Sequence, residues 1–321
     1  MRLIEVNCAL CGSAERVLDF MLNEHSIVRC LKCGFKYVSP RPEEAAVLRA
    51  YSQESIGDEL SFAHEYAGNG DVDGNYSWTG AYVLKRLFRR VPGGSFLDIG
   101  AGQGWAVCEA LKSGMDAWGY EFGDQRAFES DPRLRDRIFN TQAQLADTGK
   151  KFDVIYSSAV LEHVYDPLAF LHQWRPFLNP GGFFCVAAVP NVDSIFIRLK
   201  VDGWDGNIPF HHLNYFCPRT LADLIRRADY EMVDMFTMGA PISASIRNIF
   251  IQDRFKSGYW GDNALRWRLA GKSHMTLARS KNNRLLALAT AASNHLIKMT
   301  GMGANIYATF MDPDPRQALN R

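Results

Sequence analysis

Two cysteine pairs are the first residues whose type and spacing could do chemistry. Cys8 and Cys11 form "CALC", Cys30 and Cys33 form "CLKC", and eighteen residues separate the pairs. This is the spacing of a zinc ribbon: four thiolates close a tetrahedron around Zn2+ and leave no open position for water or substrate, so a metal held there is structural. A disulfide framework is disfavoured in a reducing compartment, and a redox CxxC needs only one pair. Gly12 and Gly34 follow the two pairs and suit tight turns that aim backbone N–H groups at the sulfurs. Cys108, Cys185 and Cys217 have no partner at metal spacing and read as small buried side chains.

The second group lies in "FLDIGAGQGWAV", Phe96 to Val107, an apolar strand running into a glycine turn and a helix. Gly100, Gly102 and Gly104 follow GxGxG, whereas a dinucleotide fingerprint would put its third glycine where Trp105 stands. Asp98 lies two residues before the first glycine, where its carboxylate would oppose a pyrophosphate at the helix start. A ligand with positive charge and no phosphate fits better. Glu121 falls twenty-one residues after Gly100, at the end of the next strand, where a carboxylate accepts hydrogen bonds from both ribose hydroxyls. S-adenosylmethionine satisfies both carboxylates, having an adenosine, an ammonium and a sulfonium but no phosphate.

These groups need a scaffold, and alternating strands and helices supply one. "SFLDIG", "DAWGYE" (Asp116 to Glu121), the weaker "DRIFN" (Asp136 to Asn140), "FDVIYSSAV" (Phe152 to Val160) and "FFCVAAVP" (Phe183 to Pro190) read as strands. Helices are expected over Trp105 to Ser113 and Pro167 to Phe177, with a turn at "NPGG", Asn179 to Gly182. That pattern implies an α/β fold with a parallel sheet, whose ligands bind at the carboxyl ends of the strands where the order reverses. Asp98, Glu121, Gln142, Ser158 and Asn191 all lie at or just past strand ends and are expected to converge there. Upstream, a helix is expected from "SPRPEE" through Tyr51, then a polar loop over residues 52 to 77, read as a lid or a plain linker, then a helix over Ala81 to Val91.

The 321 residues, 47% hydrophobic and 22% charged, belong to an ordinary globular composition. Thirty-six basic against thirty-five acidic side chains leave no electrostatic footprint of a dedicated nucleic-acid binder. "MRLIEVNCALCG" lacks an apolar signal core, and "LLALATAA" (Leu285 to Ala292) is too short to span a bilayer, so a cytoplasmic location is expected. Arg284 to Met299 reads as a packed helix.

Taken in order, "LDIGAGQG", Glu121, "FDVIYSSAVLEHVYDP", "LNPGG" and "VPN" resemble successive motifs of the class I S-adenosylmethionine-dependent methyltransferases, over residues 95 to 191. With the ribbon in front and "WDGNIPFHHLNYFCPRTLADLI" behind, the chain is similar to the members in which a ribbon precedes the methyltransferase core, several of which modify sugars or other small intermediates. The resemblance implies a Rossmann-like seven-stranded sheet with its last strand antiparallel, for which "ANIYATFM" (Ala304 to Met311) is the candidate, and a helical insertion over about 240 to 300. The domains are then a ribbon over 1 to 40, a helical lead-in and loop over 41 to 91, and the methyltransferase domain over 92 to 321.

By resemblance, Asp98 and the backbone of Gly100, Gly102 and Gly104 hold the methionine end, Glu121 the ribose, and Gln142 with Ala143 the adenine edge, although the usual acidic residue is missing there. Phe122 reads equally as an adenine-stacking ring or a core aromatic. Methyl transfer otherwise needs in-line positioning and removal of the acceptor's proton, a task that suits histidine. The candidates are His163 in "LEHV", and His211 and His212 in "PFHHLNYF". Glu162 and His163 could instead organise their loop, and His211 and His212 could bond to backbone at a helix start. Because successive side chains of an extended segment alternate, His212 is expected to face the acceptor as base, with His211 turned to solvent or backbone. Trp204, Tyr215 and Phe216 read either as walls of an acceptor pocket or as core. Ubiquinone-type O-methyltransferases carry a further glutamate three residues before the Glu-His pair; Ala159 stands there, so no catalytic metal is expected.

O-methylation of a small or sugar-type acceptor, carried on a nucleotide or lipid, is the leading expectation. C-methylation of a keto-sugar, RNA methylation with the ribbon gripping the substrate, and a non-catalytic cofactor-binding protein are the alternatives. Residues 1 to 38 carry Arg2, Arg16, Arg29, Lys32 and Lys36 against Glu5, Glu15, Asp19 and Glu24, a weak basic excess that disfavours the RNA reading.

Overall fold

The computed structural model describes residues 2–22, 25–51, 78–122, 131–198, 210–238 and 300–313. The expected lid over 52 to 77, Trp204, the 240 to 300 insertion short of its last residue, and the 284 to 299 helix lie outside the described residues.

Five strands form the parallel part of the central sheet: β6 (Ser95–Ile99), β7 (Asp116–Tyr120), β8 (Ile138–Phe139), β9 (Phe152–Ser158) and β10 (Leu178–Pro190). β13 (Asn305–Met311) lies antiparallel between β10 and β12 (Glu231–Met238), giving a mixed seven-stranded sheet of order β12-β13-β10-β9-β6-β7-β8. The architecture is the α/β Rossmann-like one expected. Val154, Ile155 and Tyr156 in the middle of β9 are all fully buried, as a strand covered on both faces requires. Two details differ from expectation. "NPGG" is drawn into β10, where the register with β9 shifts between Leu178 and Phe183 instead of breaking the strand. β12 supplies a strand that no sequence pattern singled out.

The helices start where side chains satisfy their first N–H groups. Asp166 accepts from Leu168 and Ala169 N–H ahead of Pro167, which opens the helix Pro167–Trp174. Thr141 and Gln144 form a capping box on Gln142–Asp147. The helix Trp105–Lys112 begins directly after Gly104, so its N-terminus faces the crevice where the order turns at β6 between β9 and β7.

The amino-terminal segment is less separate than a ribbon over 1 to 40. β1 (Leu3–Ile4) pairs with β5 (Arg41–Pro42), while β2 (Arg16–Leu22), β3 (His25–Cys30) and β4 (Lys36–Val38) form a sheet whose fourth strand is β11, Asn214–Tyr215, from the segment that follows β10. Phe35 packs on Phe216 with ring centroids 5.0 Å apart, and Arg219 donates to the Cys33 carbonyl at 2.9 Å. Cys8, Leu10, Phe35 and Tyr37 therefore share one continuous core with Leu97, Ile155 and Phe184 of the large sheet.

Candidate active site

At the end of β6, Asp98 is buried, and its Oδ1 has no hydrogen-bond partner among the described residues. Burial, reinforced by the nearby Glu121 charge, raises its carboxyl well above the usual range. Glu121 Oε2 accepts from Gly102 N–H at 3.0 Å, tying the second carboxylate to the glycine turn. Gly100 has φ +71° and its Cβ position lies 2.5 Å from Val160 Cγ2, so any side chain there collides with the loop that follows β9. Gly102, at φ +55°, meets nothing within 4 Å where a Cβ would stand: its bare backbone faces open space beside the two carboxylates. A buried carboxylate lacking a partner, close to a second one, calls for a cationic ligand, and the residues present fit the ammonium and ribose of S-adenosylmethionine.

Ser158 closes β9 beside this crevice, next to Ser157, which registers with Ile99 at the end of β6. Phe122 is 48% exposed, which removes the core reading, and its ring meets Tyr51 edge-on at 6.1 Å. Two expected members turn elsewhere. Gln142 exchanges hydrogen bonds with Gln173, donating to its carbonyl at 3.1 Å and accepting from its amide at 2.7 Å, so its side chain joins two helices. Asn191 is fully buried and donates to the carbonyls of Gly301 and Gly303, fixing the approach to β13. Tyr215 and Phe216 are core: the first packs edge-on to Phe20 at 6.2 Å and both are buried.

The three histidines come together. His163 lies on the loop after β9 and stands 4.2 Å from His211 and 4.7 Å from His212, centroid to centroid; the latter two are 5.4 Å apart. His163 Nδ1–H donates to the His211 carbonyl at 2.8 Å, and the Glu162 carbonyl accepts from Leu213 and Asn214 N–H at 2.8 and 3.1 Å. Asn214 Nδ2 adds bonds to the Leu161 and Val164 carbonyls, so the "LEHV" loop and the "HHLN" segment are stitched together by main chain. His211 does not turn to solvent. Residues 210 and 211 form a turn, with φ +69° at Phe210, so the alternation of an extended strand does not apply and both adjacent rings are buried against His163. Burial, with the neighbouring His211 and His212, pushes His163 well below the usual imidazole range despite the His211 and Ala159 carbonyls. Burial and His212 push His211 down to about 3, and burial lifts the Glu162 carboxyl to about 8.

Tyr51 is the residue that sequence reasoning missed. It caps the helix Glu44–Ala50, donates its hydroxyl to the His211 carbonyl at 3.4 Å, and lies 5.8 Å from His211 and 6.2 Å from His163. Phe122, Tyr51 and the histidines thus form a continuous run of rings from the Glu121 end of the crevice. A helix-terminal aromatic followed by polar sequence offered no pattern that would mark it.

In the amino-terminal segment, Cys8 and Cys33 sulfurs are 3.5 Å apart, as are those of Cys11 and Cys30, and all four lie within 4.8 Å of one another as free thiols. Zn–S bonds of about 2.3 Å put tetrahedral sulfurs about 3.8 Å apart, so the set fits zinc. Burial opposes ionisation of Cys30, but the N–H groups of Cys33 and Lys32 outweigh it and bring that thiol down to about 7.

The family model described as "Methyltransferase domain" matches residues 78–235, which contain β6 to β11, both crevice carboxylates and all three histidines. Residues 78–235 are similar to a methyltransferase domain. A ubiquinone biosynthesis O-methyltransferase of Cereibacter sphaeroides is 31% identical to the chain over 149 residues, 43% of this chain and 60% of that protein. One from Ruegeria pomeroyi is 29% identical over 154 residues, with the same 43% and 60% coverage, and one from Brucella melitensis is 36% identical over 109 residues, 32% of this chain and 43% of that protein. The chain thus spans 60% or less of the length of these relatives. Among solved structures, 1,6-didemethyltoxoflavin-N1-methyltransferase of Burkholderia thailandensis covers 72% of this chain and 94% of its own, at 18% identity and a TM-score of 0.47. The matched residues leave the cysteine set outside their bounds, and within them the Asn214–Tyr215 strand pairs with β4 of the amino-terminal sheet.

Proposed function

We propose that the protein transfers a methyl group from S-adenosylmethionine to a hydroxyl of a small, sugar-type acceptor seated against the histidine cluster. The observation that carries this reading is the pairing of buried Asp98 with Glu121 across an open glycine turn, one ring-lined step from three clustered imidazoles. The cofactor supplies an electrophilic methyl on a sulfonium. The chain's own residues do the rest: Asp98 holds the cationic methionine end, Glu121 the ribose, and Phe122 offers an exposed ring to the adenine. The backbone of Gly100, Gly102 and Gly104 keeps the approach clear of side chains, with Ser158 closing the strand end. His212 takes the acceptor's proton as the carbon–oxygen bond forms, and His163, anchored through the His211 carbonyl, holds the segment in place.

Similarity to O-methyltransferases supports oxygen as the methylated atom. Zinc on Cys8, Cys11, Cys30 and Cys33 would be structural, since four thiolates leave no open position. Among the described residues no helix is long and apolar enough to cross a membrane; a cytoplasmic setting, where four thiols stay reduced, suits the reading. The test is calorimetry with S-adenosylmethionine and NAD, followed by labelled methyl transfer to a panel of phenols, nucleotide sugars and lipid-linked glycans read by mass spectrometry. Binding of S-adenosylmethionine and a product heavier by one methyl on oxygen are expected. Tight NAD binding without S-adenosylmethionine overturns the assignment, and methylation of a carbon or of RNA redirects the acceptor.

A further inference from the structure

The histidine cluster has the makings of a second metal site. One ligand atom from each of His163, His211 and His212 lies within 4.8 Å of the other two. Zn–N bonds of about 2.0–2.1 Å place tetrahedral nitrogens about 3.4 Å apart, a contraction within reach of small ring rotations. His163 is already oriented as a metal-bound imidazole usually is. A carbonyl can only accept, so the His211 carbonyl fixes the proton on His163 Nδ1 and leaves the Nε2 lone pair for a ligand.

A second, independent feature points the same way. Glu162 is buried at 1% exposure, its Oε1 lies 3.7 Å from His163 Nε2, and its Oε2 has no hydrogen-bond partner among the described residues. At 3.7 Å the carboxyl and the imidazole nitrogen are too far apart to satisfy one another, whereas a cation between them would satisfy both.

We infer that His163, His211 and His212, bordered by the Glu162 carboxylate, form a site for a borderline-soft divalent cation such as Zn2+, Co2+ or Ni2+. Three imidazoles with one carboxylate favour these ions over Mg2+ or Ca2+, which prefer all-oxygen shells. Ala159 removes one route to a metal beside the Glu-His pair, but His211 and His212 bring two ligands from the opposite segment. A cation there would occupy the lone pair His212 needs as a base. The cation would instead acidify an acceptor oxygen, whose proton would pass to water. The inference revises the base role proposed for His212, and because it is tested by metal binding alone its failure leaves the methyl-transfer reading standing.

The experiment uses the full chain carrying one zinc in its cysteine set, titrated with Co2+ and followed by visible absorption and metal analysis. One further equivalent is expected, with d–d bands and no thiolate charge-transfer band. In His211→Ala and His212→Ala the affinity for that equivalent should drop by about tenfold or more while the zinc stays bound. If either variant misfolds by circular dichroism, Cu2+ bound to the wild-type chain decides through its paramagnetic resonance, where coupling to at least two imidazole nitrogens is expected. No second equivalent, a thiolate band from zinc displacement, a Cu2+ spectrum with fewer nitrogens, or Co2+ affinity unchanged in both folded variants overturns the site.

Discussion

Asp98 is the residue whose environment makes the sharpest demand. In the cofactor-free protein burial and Glu121 hold its carboxyl well above the ordinary carboxylate range. A raised folded-state pKa stabilises the fold below the unfolded value, near 4, and that contribution is lost as pH rises through the folded value. A cationic ligand needs the ionised form, so binding expels the proton and affinity should climb with pH over the same window. Calorimetry of S-adenosylmethionine in buffers of differing ionisation enthalpy should show proton release. Asp98→Asn should weaken binding and flatten its pH dependence; an unchanged slope would remove Asp98 from the site. The histidines divide differently. His212→Ala should lower single-turnover methyl transfer by about 10²–10⁴ with cofactor affinity nearly unchanged, and His211→Ala should do much less to metal-free turnover, since its carbonyl, which anchors His163, survives the substitution. Full activity in His212→Ala with loss in His163→Ala would move the base to the loop after β9.

At the scale of elements, the crevice depends on how strand ends are tied. The ends of β6 and β9 are set by sheet pairing, but β13 is reached across a long segment and is secured by Asn191, which holds Gly301 and Gly303 carbonyls. Asn191→Ala leaves the buried Gly303 carbonyl without that donor, while the half-buried Gly301 carbonyl can turn to water, so a loss of about 1–3 kcal/mol is expected. Urea denaturation should show it as a lower midpoint with an unchanged slope. Retention of the wild-type midpoint would mean other donors take over. The turn at Phe210 and His211 is the other decisive element, because it converts two adjacent side chains that a strand would separate into two that share one face.

The whole molecule couples the amino-terminal sheet to the candidate site. β11 follows His212 by one residue and pairs with β4 in register Asn214 to Tyr37 and Tyr215 to Lys36, while Val38 N–H donates to the Leu213 carbonyl at 3.0 Å. A metal on the cysteine set would hold β3 and β4 in place and, through β4, the chain that presents His211 and His212. Stripping zinc with a chelator should speed amide hydrogen exchange at Tyr37 and Val38 and, with them, at Leu213 to Tyr215, while Leu97 to Ile99 and Ala117 to Tyr120 stay protected. Exchange at Leu213 to Tyr215 that is indifferent to zinc would show the two parts to be uncoupled.

Much of this was legible in residue order. Period and turn residues mark the parallel strands, glycine spacing places the turn beside Asp98 and Glu121, and paired CxxC spacing foretells the four clustered sulfurs, because each is a local constraint read within a few residues. What the tertiary structure alone decided involves partners far apart in the chain. It paired Gln142 with Gln173, committed Asn191 to the β13 approach, buried Tyr215 and Phe216 between ribbon and core, and placed Tyr51 against the histidines. It also turned His211 inward. Side-chain direction at a strand end follows the backbone turn, and that turn is fixed by the hydrogen bonds Glu162 makes to Leu213 and Asn214, fifty residues away along the sequence, which no local pattern encodes.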